Sequence, residues 1–240
     1  GHVIGRTDWD EACTKEINPK IQYHFCNESL RDSFYSGNWE YQNCEKHSIF
    51  MSQAATPIKG LHFMLRAMPE ILKNYPDAHL YIAGNDLTKT DSLYGKLKIS
   101  SFAKYIKRLI SEYNLEEKVT FTGSLTEQKM KERFLKSNVF VSPSTIENSP
   151  NSLGEAMLLG VPCISSDVGG VKNMLVHNLE GYIYQADAPY MIAYYVKKVF
   201  NEADCALIIS KNAKSHAGKT HNRDENLKML LKIYRELYEQ

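Results

Sequence analysis

The stretch from residue 139 to residue 167 constrains the fold of this 240-residue chain more than any other. It begins with three apolar residues, Val139–Val141, in the pattern of a buried strand that stops at a Ser-Pro-Ser turn. A helical pattern begins near Asn151, Gly160 and Pro162 end it, and the run that follows predicts the next strand. A strand, a helix and a second strand in this order form the crossover unit of a parallel α/β sheet. Such sheets bind ligands at the carboxyl ends of their strands.

Two carboxylates flank the predicted start of this helix. Glu147 lies in the loop before the helix, and Glu155 lies about one turn inside it. The residues between them are mostly small or polar, which leaves the helix N-terminus open as a seat for phosphate. Carboxylates repel phosphate but accept hydrogen bonds from sugar hydroxyls, so the pattern indicates a nucleotide-sugar ligand. The alternative is a capping carboxylate at Glu147 and a solvated helix residue at Glu155.

The same residues resemble a known family. Glu147-x7-Glu155, followed by Ala156-Met157, Gly160-Val161-Pro162 and Gly169-Gly170, is similar to the signature of the retaining GT-B glycosyltransferases of family 4, the glycosyl transferases group 1. The resemblance implies an α/β fold with a doubly wound parallel sheet of the Rossmann-like type. It also implies that the chain is the C-terminal, donor-binding half of a GT-B enzyme, with a remnant of the other domain and a C-terminal crossing helix.

The resemblance further implies roles for particular residues. Glu147 is expected to contact hydroxyls of the donor sugar, Glu155 to hold the ribose hydroxyls and Lys59 to bind the diphosphate, and these three form the expected catalytic set. No metal and no other cofactor is expected, because the basic groups around the diphosphate do the work of a metal. The rest of the expected donor site consists of Gln53, Gly84, Gly123, Ser124 and Leu125 and of the backbone N–H groups of Asn151, Ser152 and Leu153.

Gln53 departs from the family pattern, which has an arginine six residues before the lysine. Glutamine donates a hydrogen bond without a charge, and a charge-assisted hydrogen bond is about twice as strong as a neutral one. We therefore expect a weaker hold on the diphosphate. Two structural alternatives stay open here, namely that Lys59 is a solvated lysine at a helix start and that Gly84 is a simple turn glycine.

The chain is expected to have three parts. Residues 1–46 are interpreted as the remnant of the N-terminal acceptor domain and its hinge, with a helix near residues 28–35. Residues 47–220 are interpreted as the nucleotide-sugar-binding domain, and residues 221–240 as the crossing helix. The first residue is Gly rather than Met, so we expect a piece of a longer protein. Six strands are predicted in the second part, beginning near Ser48, His79, Val119, Val139, Cys163 and Glu180.

Composition limits the class of protein and its location. A hydrophobic content of 43% and a net charge of +1 predict a full core and argue against disorder or strong nucleic-acid binding. No apolar run has the length of a membrane span, so a cytoplasmic location is expected. A basic helix with Lys104, Lys107 and Arg108 leaves peripheral contact with the inner face of a membrane as an alternative to a solvated outer helix.

The cysteines and histidines show no metal-site spacing. The five cysteines include no CxxC pair, which favours reduced thiols over a disulfide framework. His177, His216 and His221 lack the spacing of a metal site and are predicted to lie on the surface.

The predicted function is nucleotide-sugar-dependent, retaining hexosyl transfer to a glycan or lipid-linked acceptor, in polysaccharide biosynthesis. This piece is expected to bind a UDP- or GDP-sugar and to be inactive for transfer by itself, because acceptor contacts belong to the missing half. Two alternatives remain: a sugar-nucleotide-binding module without transferase activity, and an epimerase or hydrolase on the same scaffold.

Overall fold

The main body of the protein is a six-stranded, fully parallel sheet, as the computed structural model shows for residues 1–89 and 100–239. The strands are β1 (His2–Gly5), β2 (Gln22–Phe25), β3 (Ser48–Met51), β4 (His79–Ile82), β5 (Val119–Phe121), β6 (Val139–Ser142), β7 (Cys163–Ser166) and β8 (Tyr182–Tyr184). Their order in the main sheet is β5-β4-β3-β6-β7-β8, which confirms the predicted Rossmann-like α/β fold. A separate two-stranded parallel sheet pairs β1 with β2.

Helices alternate with the strands of the main sheet along the chain, and the last helices follow its final strand. In the described residues they are α1 (Asp8–Ile17), α2 (Leu61–Leu72), α3 (Ser101–Glu112), α4 (Glu127–Leu135), α5 (Asn151–Leu159), α6 (Val171–Met174), α7 (Pro189–Asn201), α8 (Ala203–Thr220) and α9 (Arg223–Tyr238). The central strands β3, β6 and β7 are buried along their whole length. Central strands of a parallel sheet read as continuous apolar runs because helices pack on both faces.

The order of the strands reverses between β3 and β6. These two strands are hydrogen-bonded neighbours, with Ile49 opposite Val139 and Phe50 opposite Phe140. The chain leaves β3 toward β4 and β5, and leaves β6 toward β7 and β8. A crevice therefore opens at the carboxyl ends of β3 and β6, which is where open α/β sheets bind their ligands.

The helix predicted for residues 28–35 is wrong. The chain is extended through Arg31 and forms only a short 3-10 turn, Asp32–Tyr35. The Leu30 N–H donates to the Tyr35 hydroxyl over 2.9 Å, and that hydroxyl donates to the His221 carbonyl over 2.7 Å. These tertiary hydrogen bonds replace the helical ones, and Phe34 is fully buried in the main core.

One predicted surface histidine is buried. His221 is only 2% exposed, and its Nδ1 lies 2.9 Å from the Glu28 carbonyl oxygen. It fills the space between the extended segment and α5, where a β-carbon on Gly154 would lie 2.6 Å from its Nε2. His177 is exposed and His216 is half-buried beside Glu180, so the surface prediction fails for His221 only.

The structure also bears on the predictions for the basic helix, for membrane-spanning segments and for the cysteine thiols. In α3, Ala103, Ile106 and Leu109 are buried, while Lys104, Lys107 and Arg108 face solvent, as in an outer helix of the sheet. Within residues 1–89 and 100–239, no helix combines the length and apolarity that a membrane crossing needs. All five cysteines are free thiols, as predicted. The boundaries at residues 46 and 220, the location and the membrane contact stay predictions.

Candidate functional site

A cleft runs along the carboxyl edge of the sheet. Its larger part is a cavity of about 500 Å³ that opens above β3, β6 and the start of α5. It adjoins a cavity of about 360 Å³ above β4 and β5, because Ser52, Gln53, Lys59 and Met130 line both. Nine predicted site residues line this cleft, namely Gln53, Lys59, Gly84, Ser124, Leu125, Glu147, Asn151, Ser152 and Glu155.

Lys59 is positioned by the glycine that follows it. Gly60 has a φ of +73°, and a β-carbon there would lie 1.7 Å from the Pro143 carbonyl oxygen. The turn before α2 is thus pressed against the loop after β6, and Lys59 Nζ lies 2.5 Å from Glu147 Oε1. The alternative of a solvated lysine is wrong, because Lys59 is ion-paired and faces the cleft.

Glu147 is held in the loop between β6 and α5. Its Oε1 accepts a second hydrogen bond, from Ser144 Oγ over 2.8 Å. Its backbone carbonyl packs against Gly169, which has a φ of +50°. The carboxylate is therefore fixed beside Lys59, at the rim of the cavity.

The N-terminal segment holds the same loop from outside. Asn148 Nδ2 donates to Asp10 Oδ2 over 2.6 Å, and Thr7 Oγ1 donates to Asn148 Oδ1 over 2.5 Å. Burial acts to raise the pKa of Asp10, but hydrogen bonds from Tyr23, from Asn148 and from two backbone N–H groups outweigh it and lower this pKa. Asp10 therefore remains an ionised acceptor that anchors the loop at neutral pH.

Glu155 forms a bidentate ion pair with Arg31, a contact that sequence reasoning missed. Arg31 Nε lies 2.6 Å from Oε1, and Arg31 Nη2 lies 2.7 Å from Oε2. Glu155 is 3% exposed, so the alternative of a solvated helix glutamate is wrong. The hydrogen bond to Glu155 raises the pKa of the Arg31 guanidinium above its ordinary value. No local pattern marks this pair, because 124 residues separate its members.

The start of α5 offers fewer open N–H groups than predicted. The Leu153 N–H donates to the Pro150 carbonyl over 2.9 Å, and the Leu153 side chain is buried in the core. This hydrogen bond already uses the N–H that was expected to bind phosphate, and the phosphate-binding role of Leu153 stays a prediction. Asn151 and Ser152 are the first two helical residues, so their N–H groups have no acceptor within the helix.

The other end of the cleft is shaped by two glycines. Gly84 and Gly123 each donate an N–H to the carbonyl oxygen of the other, over 3.0 and 3.1 Å. Both have positive φ angles, +118° and +73°. Gly84, Ser124 and Leu125 line the cavity, whereas Gly123 does not. The predicted part of Gly84, Gly123, Ser124 and Leu125 in the donor site stays a prediction.

The charged side chains of the site are mutually paired. Lys59 pairs with Glu147, and Arg31 pairs with Glu155. In the part of the chain that the structure describes, no group of three His, Cys, Asp or Glu side chains is arranged to hold a metal ion. Donor binding without a metal stays a prediction.

Comparison with known proteins identifies the family. A model of the family described as "Glycosyl transferases group 1" matches residues 41–216, so the chain belongs to this family. It is 27% identical to an uncharacterised glycosyltransferase of Methanocaldococcus jannaschii over 194 residues, which are 81% of this chain and 46% of that protein. The chain thus spans about half the length of the curated relatives it matches.

Solved structures share the fold. The sucrose-phosphate synthase of Thermosynechococcus elongatus matches 99% of this chain and 58% of its own, with a TM-score of 0.81 and 20% identity. The Anabaena protein HepE, solved in complex with UDP-glucose, matches 99% of this chain and 64% of its own, with a TM-score of 0.76 and 16% identity. At these identities the likeness establishes the Rossmann-like fold.

Proposed function

We propose that this chain is the donor-binding half of a retaining GT-B glycosyltransferase of family 4. The donor is a UDP- or GDP-sugar, and the reaction is hexosyl transfer to a glycan or lipid-linked acceptor. One observation carries the proposal: Lys59, Glu147, Glu155 and the start of α5 converge on a single cavity in a group 1 glycosyl transferase fold.

The diphosphate of the donor is assigned to Lys59 and to the N–H groups of Asn151 and Ser152. A helix N-terminus favours an anion through its dipole and its unpaired N–H groups. Negative charge grows on the diphosphate as its bond to the sugar breaks, so preorganised positive groups stabilise the transition state. Lys59 leaves Glu147 for the diphosphate in this scheme, and no metal ion is proposed.

The two carboxylates are assigned to hydroxyl groups. Glu155 holds the ribose hydroxyls, and Glu147 contacts hydroxyls of the transferred sugar and stabilises positive charge at the anomeric carbon as its bond opens. Ser144 and Lys59 orient Glu147 before the donor arrives. The complex of HepE with UDP-glucose supports UDP-glucose as the first donor to test.

The acceptor is assigned to the part of the enzyme outside this chain. The chain covers 46% of a curated relative, and we assign the acceptor to a part of this protein that corresponds to the rest of that relative. We therefore expect this piece to bind donor and to transfer nothing alone. Cytoplasmic polysaccharide synthesis, with peripheral membrane contact through the basic face of α3, is the proposed setting.

A sugar-nucleotide-binding module without transferase activity is the second candidate. Gln53 favours it, because a neutral side chain lines the cavity where the family pattern has arginine. Normal turnover by the longer protein would dismiss this candidate. A strict need for an acceptor would dismiss the epimerase and hydrolase alternatives.

The test is a thermal-unfolding and calorimetry panel of this chain with UDP, GDP, ADP and their common sugar conjugates. We expect one base to stabilise the protein, and we expect Lys59→Ala and Glu155→Ala to abolish that effect. Glu225→Ala serves as the control, because neither Glu225 nor Lys228, its partner in an exposed ion pair, lines the cleft. A cooperatively unfolding protein that none of these ligands stabilises would refute the proposal.

A further inference from the structure

We propose that Arg31 is a diphosphate-binding residue of the donor site and supplies the positive charge that Gln53 lacks. On donor binding its guanidinium exchanges Glu155 for the diphosphate, which leaves Glu155 to the ribose hydroxyls. This inference rests on the proposed function and adds to it a residue from outside the sheet.

Arg31 lies in the cavity assigned to the diphosphate. It lines the same 500 Å³ space as Gln53 and Lys59. It holds Glu155, which is four residues after Asn151 in α5, or about one helical turn of 5.4 Å. The guanidinium is thus roughly a turn away from the N–H groups assigned to the phosphates, which is within reach of a rotamer change of a long side chain.

The arginine side chain can exchange partners, whereas its backbone is anchored. The side chain of Arg31 is 43% exposed, and that of Glu155 is 4% exposed. The Ser33 N–H donates to Glu127 Oε1 over 2.9 Å, and Leu30 and Tyr35 are tied to α8 through the His221 carbonyl. These contacts fix the backbone on both sides of residue 31, so only the guanidinium needs to move.

Phe34 provides a platform for the guanidinium. Arg31 Cζ lies 4.7 Å from the centroid of the Phe34 ring. Arginine stacks on aromatic faces while its edge presents paired N–H donors, and that edge matches a carboxylate or a phosphate equally well. The same donor edge therefore suits Glu155 in this structure and a diphosphate after the exchange.

The charges of the site are balanced both before and after the proposed exchange of partners. Each of the two cations of the site, Arg31 and Lys59, is paired with one carboxylate. A nucleoside diphosphate brings more than one negative charge for these cations and a ribose diol for Glu155. The diphosphate is then paired with both cations, and the buried carboxylate of Glu155 keeps hydrogen-bond donors in the two ribose hydroxyls.

The competing interpretation is that Arg31 only blocks Glu155 and must leave before ribose binds. The two interpretations predict opposite effects of Arg31→Gln, measured by calorimetry of the whole chain with UDP and with uridine, or with GDP and guanosine if the panel selects GDP. If Arg31 binds the diphosphate, Kd for the diphosphate rises at least about tenfold while Kd for the nucleoside stays the same or falls. A diphosphate Kd that is unchanged or lower overturns the inference.

Two further variants separate the loss of the Arg31 charge from a general loss of folding. Gln53→Arg in the Arg31→Gln protein restores diphosphate affinity if position 53 lacks a charge that Arg31 supplies. Arg31→Gln combined with Glu155→Gln leaves no unpaired charge, so comparison with Glu155→Gln alone measures Arg31 even if the single variant folds poorly. Arg223→Gln is the matched control, because its exposed ion pair with Asp32 lies in the same region.

If the wild-type protein binds neither diphosphate, the proposed function fails together with this inference. If the wild-type protein binds a diphosphate and Arg31→Gln binds it equally well, only this inference fails.

Discussion

Gly169 packs directly against the backbone of Glu147, and a β-carbon at residue 169 would lie 1.7 Å from the Glu147 carbonyl oxygen. The first Gly of the Gly-Gly turn after β7 thereby supports the loop that carries a candidate catalytic carboxylate. A β-carbon on the second glycine, Gly170, would lie 2.3 Å from Thr7 Cγ2 and 2.5 Å from the Asn148 carbonyl oxygen. The turn is thus where the main sheet, the loop and the N-terminal segment meet.

Gly169→Ala should displace this loop. The new β-carbon meets backbone atoms, and the φ of +50° disfavours any side chain, so we expect a loss of about 2–4 kcal/mol in the free energy of unfolding together with weakened donor binding. Urea unfolding and calorimetry measure both effects. Gly218→Ala in α8 is the control: a β-carbon there meets no atom within 4 Å, and a gain of about 0.5–1 kcal/mol is expected. Wild-type stability and affinity in Gly169→Ala would contradict this account.

Glu155→Gln should weaken the protein and the site together. It removes one charge of a pair whose loss would cost about 3–5 kcal/mol if fully buried, and the exposure of Arg31 reduces this to roughly 1–3 kcal/mol. Nucleoside affinity should fall because a carboxylate acceptor is lost. Glu225→Gln breaks an exposed pair with Lys228 and should change stability by about 0.5 kcal/mol or less. Equal effects of the two variants would show that burial of Glu155 has no energetic consequence.

Stability should fall in mild acid through His221. Burial lowers the pKa of this imidazole below its ordinary value of 6.5, against a raising effect of the Glu28 carbonyl. The unfolded chain therefore binds the proton more readily, and the stability present above pH 6.5 is lost as the pH falls through that value toward the lower folded pKa.

The measurement is the free energy of unfolding at pH 7.5 and pH 5.5 for the wild-type protein and for His221→Gln. The variant should lose less stability on acidification than the wild type. The comparison is needed because burial also lowers the pKa of His62 and of His79, which act in the same direction in both proteins. An identical loss in both proteins would remove His221 from the explanation.

Phe34→Ala should destabilise the main sheet although residue 34 lies in the segment assigned to the other domain. Phe34 is fully buried, and its ring packs edge-on against Phe134 at 5.9 Å, so we expect a loss of about 3–5 kcal/mol. Phe25→Ala, at a site that is 46% exposed, should cost about 1 kcal/mol or less. Similar urea midpoints for the two variants would mean that residues 28–39 are peripheral to the core.

Thiol labelling should separate the cysteines by burial. In the native protein Cys13 and Cys205 are exposed, whereas Cys26 and Cys163 are buried. The hydrogen bond to Glu202 raises the pKa of the Cys205 thiol, so Cys205 should react more slowly than Cys13 at pH 7. Timed labelling followed by peptide mass analysis gives the order, and labelling in urea should reach all five. Rapid modification of Cys163 in the folded protein would contradict the packing of β7.

The elements of the sheet could be predicted because their signals are local. All six strands of the main sheet appear where the apolar runs indicate them, with ends that differ by a few residues. Buried strands and amphipathic helices carry their period within a few residues of chain. The same holds for Glu147 and Glu155, which a single loop and helix bring to one rim of the cavity.

The errors lie where distant segments meet. The helix predicted near residues 28–35 does not form, because the Leu30 N–H donates to the Tyr35 hydroxyl and that hydroxyl donates to the His221 carbonyl. Burial of His221 follows from the space beside Gly154, which no periodicity reveals.

The amino-acid sequence by itself determined the class of fold, the strand-loop-helix unit and the position of the two carboxylates along it, because these depend on spacing within short stretches. Only the tertiary structure decided that Arg31 holds Glu155, that Lys59 holds Glu147 and that Gly169 supports the loop between them. Each of these contacts joins residues on different elements, so no local sequence pattern marks it. The charge pairs interact strongly only after folding brings their members together in a region of low dielectric constant.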